Sequence, residues 1–181
     1  MGNFVECSFF DNPLIEFLSS VYLHDSGEEI NDISKTKIER MLPFLCGISS
    51  RDKKGEQKIV HKFNEQVGTN HSDQDPEFYV RYLTEQWLET PLPFLHCIYE
   101  ARMKKIQLRP PQNENQIFIV QAKLTINDLV ALSHYLDNFD KSRVHLDAII
   151  IKDCGLNDAS LSVLGSKVSN HVTDNDHHLR Y

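Results

Sequence analysis

"LDAIIIKDCGL", residues 146–156, decides how the rest of the chain is read. Ile149 and Ile151 stand two apart, so on a strand they share one face while Ile150 turns to the other. The run is β-branched, which predicts a short strand. The same design occurs upstream, in "QIFIV". Shifting the sequence by 149 − 117 = 32 residues lays Ile117 over Ile149, Ile119 over Ile151, Leu124 over Leu156, Leu129 over Leu161, Leu132 over Leu164 and Leu136 over Val168. Six apolar coincidences at one offset, with no gap, predict two copies of one strand–turn–helix unit.

The second copy satisfies L-x-x-L-x-L-x-x-N/C-x-L through Leu146, Ile149, Ile151, Cys154 and Leu156, the pattern of a leucine-rich repeat. Cys154 takes the position where a small polar side chain pairs with backbone inside the turn. Leu161, Leu164 and Val168 then line the inner side of a helix returning behind the strands. The first copy carries Glu114 where the leading leucine belongs, as suits an atypical first repeat. The 32-residue period exceeds the usual 20 to 29, and the surplus is assigned to a loop around "DNFDKSR", residues 137–143.

Upstream, the period is helical. "NPLIEFLSSVYLH" sets Leu14, Phe17, Leu18, Val21 and Tyr22 on one stripe, with Asn12 as N-cap and Pro13 in the first turn. "SKTKIERMLPFLCG" sets out Ile38, Met41, Leu42 and Leu45, with Pro43 expected to kink or split the helix and Gly47 to stop it. "GEQKIVHKFNEQVG" and "DPEFYVRYLTEQWLE" follow, the latter presenting Phe78, Tyr82 and Trp87 before Pro91 and Pro93. A fifth helix covers "FLHCIYEARMKKIQ", residues 94–107. "LRPPQNENQ", residues 108–116, forbids its continuation at Pro110 and Pro111 and is read as a linker. The expected layout is a mostly α helical domain over 1–107, a linker over 108–116, two repeats opening an α/β leucine-rich-repeat solenoid over 117–170, and a flexible polar tail over 171–181.

Of the 181 residues, 40% are hydrophobic and 25% charged, a globular composition. A net charge of −7 argues against general affinity for nucleic acid or anionic lipid. No apolar run approaches the roughly 18 residues of a membrane span, and the N-terminus carries acids where an export signal carries cations. Cys7, Cys46, Cys97 and Cys154 form no C-x-x-C pair, which suits a reducing, cytoplasmic setting with buried thiols.

Three stretches resemble NOD-like receptors, the cytosolic nucleotide-binding, leucine-rich-repeat proteins of innate immunity. "NPLIEFLSSVYL", 12–23, is similar to the family's H-P-S-x-Q-E-F-L-A-A-x-Y-L segment through Glu16, Phe17, Leu18, Tyr22 and Leu23, with Asn12 where histidine is usual. "RMLPFLCGIS", 40–49, resembles its F-L-C-G element, and "FLHCIYEA", 94–101, its L-x-C-L-Y-E helix before the repeats. The resemblance implies a second helical domain followed by the first repeats, which sense or scaffold ligands and help hold the nucleotide-binding domain closed. The family's phosphate loop, G-x-x-x-x-G-K-[ST], is missing, since no Gly-Lys dipeptide occurs. The chain is therefore expected to be a truncated receptor, a gene fragment or an excised subdomain. A phosphate loop encoded upstream would make it part of an ATP-dependent receptor switch instead.

The candidate reactive groups read more plainly as structure. His96 and Cys97 are adjacent on a helix and point about 100° apart, which disfavours a nucleophile pair. Arg102, Lys104 and Lys105 complement a helix C-terminus more readily than they bind phosphate. His171, Asp174, Asp176, His177 and His178 lie in a terminal tail without preorganised geometry for a metal. The expectation is a non-catalytic module, with no cofactor, no metal site and no nucleic-acid or membrane partner. It engages protein partners or itself through the concave repeat face, where Phe118, Val120, Ile150 and Lys152 are the candidate contacts.

Overall fold

The computed structural model describes residues 13–26, 35–51, 80–81, 84, 88–111, 115–120, 123–156, 162 and 164–165. Its elements are α1 (Pro13–Ser26), α2 (Lys35–Ser49), α3 (Pro91–Glu100), β1 (Gln116–Val120), α4 (Ile126–Asn138) and β2 (Ala148–Lys152). The described chain is mostly helical, with one small parallel sheet.

α1 and α2 form an antiparallel pair. Phe17 meets Phe44 edge to face at 5.9 Å, and the Ser20 hydroxyl lies 3.2 Å from the Met41 carbonyl, so one helix steps back as the other advances. Of the stripe expected to seat α1, Leu14, Leu18 and Tyr22 face outward, 58%, 55% and 57% exposed, while Phe17 packs on Phe44 and Val21 is half-buried. α1 packs through Ser20, Leu23 and His24. Ser20 does so without an unsatisfied hydroxyl, because Oγ also donates to the Glu16 carbonyl at 2.7 Å.

α2 runs unsplit through Pro43 and continues past Gly47 to Ser49. Gly47 is there for contact rather than termination. A Cβ at this position would stand 3.3 Å from Glu100 Cβ on α3, so its absence lets α2 and α3 approach closely. α3 starts with Pro91 in its first turn, where no N–H is needed, and buries Phe94, Leu95, Cys97 and Ile98. It ends earlier than the sequence pattern predicts. Arg102 adopts φ 55°, its N–H reaches the Tyr99 carbonyl at 3.0 Å, and the Met103 N–H reaches Ile98 at 3.3 Å. That is a Schellman turn with arginine in the left-handed position, closed by packing of buried Met103 over buried Ile98.

Beyond the turn, where Lys105 adopts φ 57°, the core continues through the chain without a break. Ile106 is fully buried and bridges Phe139 in parallel, with N–O distances of 2.8 Å to Asn138 and from Asp140. Leu108 is buried, and its carbonyl accepts a hydrogen bond from the Tyr135 hydroxyl at 3.1 Å. One apolar cluster joins Leu23 on α1, Ile38 on α2, Ile98 on α3, Ile117 on β1, Leu132 on α4 and Leu164.

β1 and β2 pair in parallel, Ile117 opposite Ile149 and Ile119 opposite Ile151. The register is therefore 149 − 117 = 32, the offset at which the two sequence segments superpose. The connection between them is α4, a crossover of the kind a parallel pair requires. Thr125 and Asp128 cap its start reciprocally, and Leu129, Ala131, Leu132, Tyr135 and Leu136 turn inward. α4 reaches Asn138, so the expected loop of 137–143 begins in the helix and continues as the turn after it.

Of the other expected helices, 55–68 lies outside the described residues, as do Phe78, Tyr82 and Trp87. Val80, Thr84 and Leu88 are buried. Leu161, Val168 and the histidine-rich tail also lie outside the described residues.

Candidate functional site

Alternation sorts the sheet residues cleanly. Ile117, Ile119, Ile149 and Ile151 point into the core, all at or below 8% exposure. On the opposite face the register sets Phe118 beside Ile150 and Val120 beside Lys152. Phe118 and Lys152 are exposed, while Val120 and Ile150 are half-buried. The four residues proposed from the sequence are thus brought together as two neighbouring pairs. They make an apolar strip with one cation, Lys152, at its end.

The turn after β2 holds that face in place. The Cys154 thiol donates to the Lys152 carbonyl at 3.1 Å and to the Ile119 carbonyl of β1 at 3.5 Å. Asp153 and Gly155 adopt φ of 56° and 60°, which turns the chain back beneath the strand. A buried sulfur bonded to backbone of both strands links them where the sheet ends.

A second arrangement was not foreseen from the sequence. His96 of α3 donates through Nε2 to Asp128 Oδ1 at 2.7 Å. Asp128 Oδ2 accepts from the Thr125 N–H at 2.6 Å and from its hydroxyl at 2.7 Å. Partial burial alone would raise the Asp128 pKa, but the bonds from His96 and Thr125 outweigh it and hold the carboxyl below its ordinary value. The sequence signal for this site is "TIND", a capping box spelled T-x-x-D, although nothing in it names His96 as the third member.

His96 and Asp128 line an open cleft of about 340 Å³ that also meets Glu16, Glu39, Arg40 and Leu92. Arg40 is 3.7 Å from Glu16. An orienting carboxylate and an imidazole are two parts of a hydrolytic triad, and among the described residues the hydroxyl side chain lining this cleft is that of Thr36. Cys97, beside His96 in sequence, is fully buried on the other side of α3. The His96–Asp128 pair thus fastens the start of α4 to α3.

The cations after α3 also take structural places. Arg102 stacks 5.3 Å from the Tyr99 ring centre, and Lys104 and Lys105 are exposed. Tyr99 in turn meets His134 edge to face at 5.5 Å. His134 donates to the Met103 carbonyl at 3.0 Å, and burial lowers its pKa against the pull of that bond. Among the described residues no group of three His, Cys, Asp or Glu side chains is arranged to hold a metal, and no helix is long and apolar enough to cross a membrane. Compared with family models, with curated proteins and with solved structures, the chain gives no match.

Proposed function

We propose that this chain is a non-catalytic interaction and regulatory module of the kind found in cytoplasmic NOD-like receptors, a helical unit leading into the first leucine-rich repeats. The observation that carries this reading is the identity of two independent offsets. Apolar residues recur every 32 positions, and the strands pair 32 positions apart. A repeat that stacks on its predecessor must produce that equality, whereas two unrelated strands joined by a helix need not. The Cys154 thiol on the Ile119 carbonyl supports it further, since it occupies the repeat's polar turn position and bonds to the preceding copy.

In this reading the strip of Phe118, Val120, Ile150 and Lys152 is the start of the concave face, and it takes a protein partner or a second copy of the chain. The three sequence resemblances, over 12–23, 40–49 and 94–101, support placing α1 to α3 as the helical domain that precedes the repeats. With no phosphate loop in the chain, ATP is not its ligand. The alternative, a portion of an ATP-dependent switch, requires a nucleotide-binding domain encoded upstream. Two measurements on the purified chain test the proposal. Light scattering should show mass rising with concentration, an effect that Phe118→Glu suppresses, and calorimetric titration with ATP and magnesium should give no micromolar binding. A concentration-independent monomer, or saturable heat from ATP, would defeat it.

A further inference from the structure

Cys46 on α2 and Cys97 on α3 are both buried where the two helices pack on each other. Gly47 follows Cys46, and Glu100 lies one turn after Cys97. A Cβ on Gly47 would meet Glu100 Cβ at 3.3 Å and the Glu100 carbonyl oxygen at 3.5 Å, so the glycine contact brings the neighbouring thiols onto one interface. The Cys46 side chain adjoins the Cys97 thiol closely enough to help raise its pKa. They are 1% and 0% exposed, and both are free thiols. Cys154 is differently placed, its sulfur bonded to the backbone carbonyls of Ile119 and Lys152.

We infer that Cys46 and Cys97 form a dithiol–disulfide site that peroxide oxidises, cross-linking α2 to α3 reversibly. One thiol takes an oxygen atom from hydrogen peroxide to become a sulfenic acid, and the peroxide leaves as water. The second thiol gives up its proton, its sulfur attacks the sulfenic sulfur, and the departing hydroxide takes up that proton as a second water. Two thiols and one peroxide thus yield one disulfide and two waters. A thiol reductant reverses the bond by exchange.

Access sets the rate. Burial, together with the neighbouring Cys46, pushes the Cys97 thiol well above its ordinary value, so in the closed interface it stays protonated and unreactive. Oxidation therefore proceeds from molecules in which α2 and α3 have parted locally, and the product locks them together again. The site reports opening of the helical unit, and it stands independently of the repeat reading.

The test treats the purified full chain with hydrogen peroxide, blocks the remaining thiols by alkylation, and maps linked peptides by mass spectrometry without reduction. The expected product is a single link between Cys46 and Cys97, with an intact mass about 2 Da lower and two fewer titratable thiols. Dithiothreitol should reverse it. Because the bond closes a loop of 97 − 46 = 51 residues, the oxidised chain should melt at a higher temperature than the reduced chain. Cys46→Ser should abolish the link. Should that variant fail to fold, the wild-type peptide map decides alone. Links from Cys46 or Cys97 to Cys7 or Cys154 in comparable yield, sulfinic acid without any link, or reaction only after urea unfolds the chain would each overturn the inference.

Discussion

α1 and α4 are helices of nearly equal length with opposite fates for their apolar stripes. α4 turns Leu129, Leu132, Tyr135 and Leu136 inward, each at 2% exposure or less. α1 presents Leu14, Leu18 and Tyr22 outward and packs through a smaller set that includes a serine and a histidine. The difference lies in what each helix meets. α4 packs against α3 and turns its inner residues into the core cluster that also holds Ile117, Ile119, Ile149 and Ile151. Among the described elements α1 leans on α2, where the Ser20 hydroxyl approaches the backbone of the partner helix. An apolar stripe shows which residues share a face, and the neighbouring elements decide whether that face is covered.

The sharpest way to break this comparison is on the sheet that α4 spans. Ile151→Asp would place an unpaired charge in the core and should destabilise the chain by about 4 kcal/mol or more, enough to unfold the sheet unit. Ile150→Asp, one residue away on the half-buried face, should cost about 1 kcal/mol. Urea denaturation followed by circular dichroism measures both, and equal losses would show that the two faces are not distinct. The helices themselves give a smaller contrast. Leu132→Ala should cost about 3 kcal/mol through the cavity it leaves. Leu18→Ala should change stability by less than about 0.5 kcal/mol. A large loss at Leu18 would mean that α1's outer stripe is covered after all.

Much of the α4 region was legible in the sequence because one constraint was written twice. A strand pattern alone is ambiguous, but Ile117 with Ile119 and Ile149 with Ile151 recur with the helix residues between them. Only one pairing aligns all of them. The α1–α3 region offered no second copy, and there the reading went astray. Gly47 read as a helix stop because glycine ends helices more often than it admits a neighbour, and the neighbour, Glu100, is far off in sequence. Pro43 read as a kink or a split, and α2 continues through it unsplit. The end of α3 was hidden because an arginine, not a glycine, takes the left-handed position. As for the sites, the sheet face followed from alternation alone. The His96–Asp128 contact depends on how α3 and α4 cross, which no local pattern encodes.

That contact provides a modest expected effect, and its pH dependence identifies it. Asp128→Asn keeps an acceptor for the Thr125 cap but loses the charge facing His96, and should cost about 1 kcal/mol near neutral pH. The folded-state pKa of Asp128 is depressed, so its stabilisation is complete above the unfolded value of about 4 and disappears as pH falls through the folded value. Wild type and variant should therefore converge in acid. Denaturation midpoints taken from pH 7 down to pH 2 measure this. A gap that persists at the acid end would assign the loss to packing rather than to charge.

The 32-residue register also determines the order in which this part of the molecule assembles. Neither strand has a sequence-local partner, and closing a flexible loop of that length costs about 3 kcal/mol of chain entropy before the first ladder bond forms. α4 needs no such closure. Its Thr125–Asp128 cap and its inward stripe are local, and once helical it shortens the free chain between the strands. The helix thus forms ahead of the sheet, and mutations at its cap should slow folding, whereas those on the outer sheet face should mainly speed unfolding.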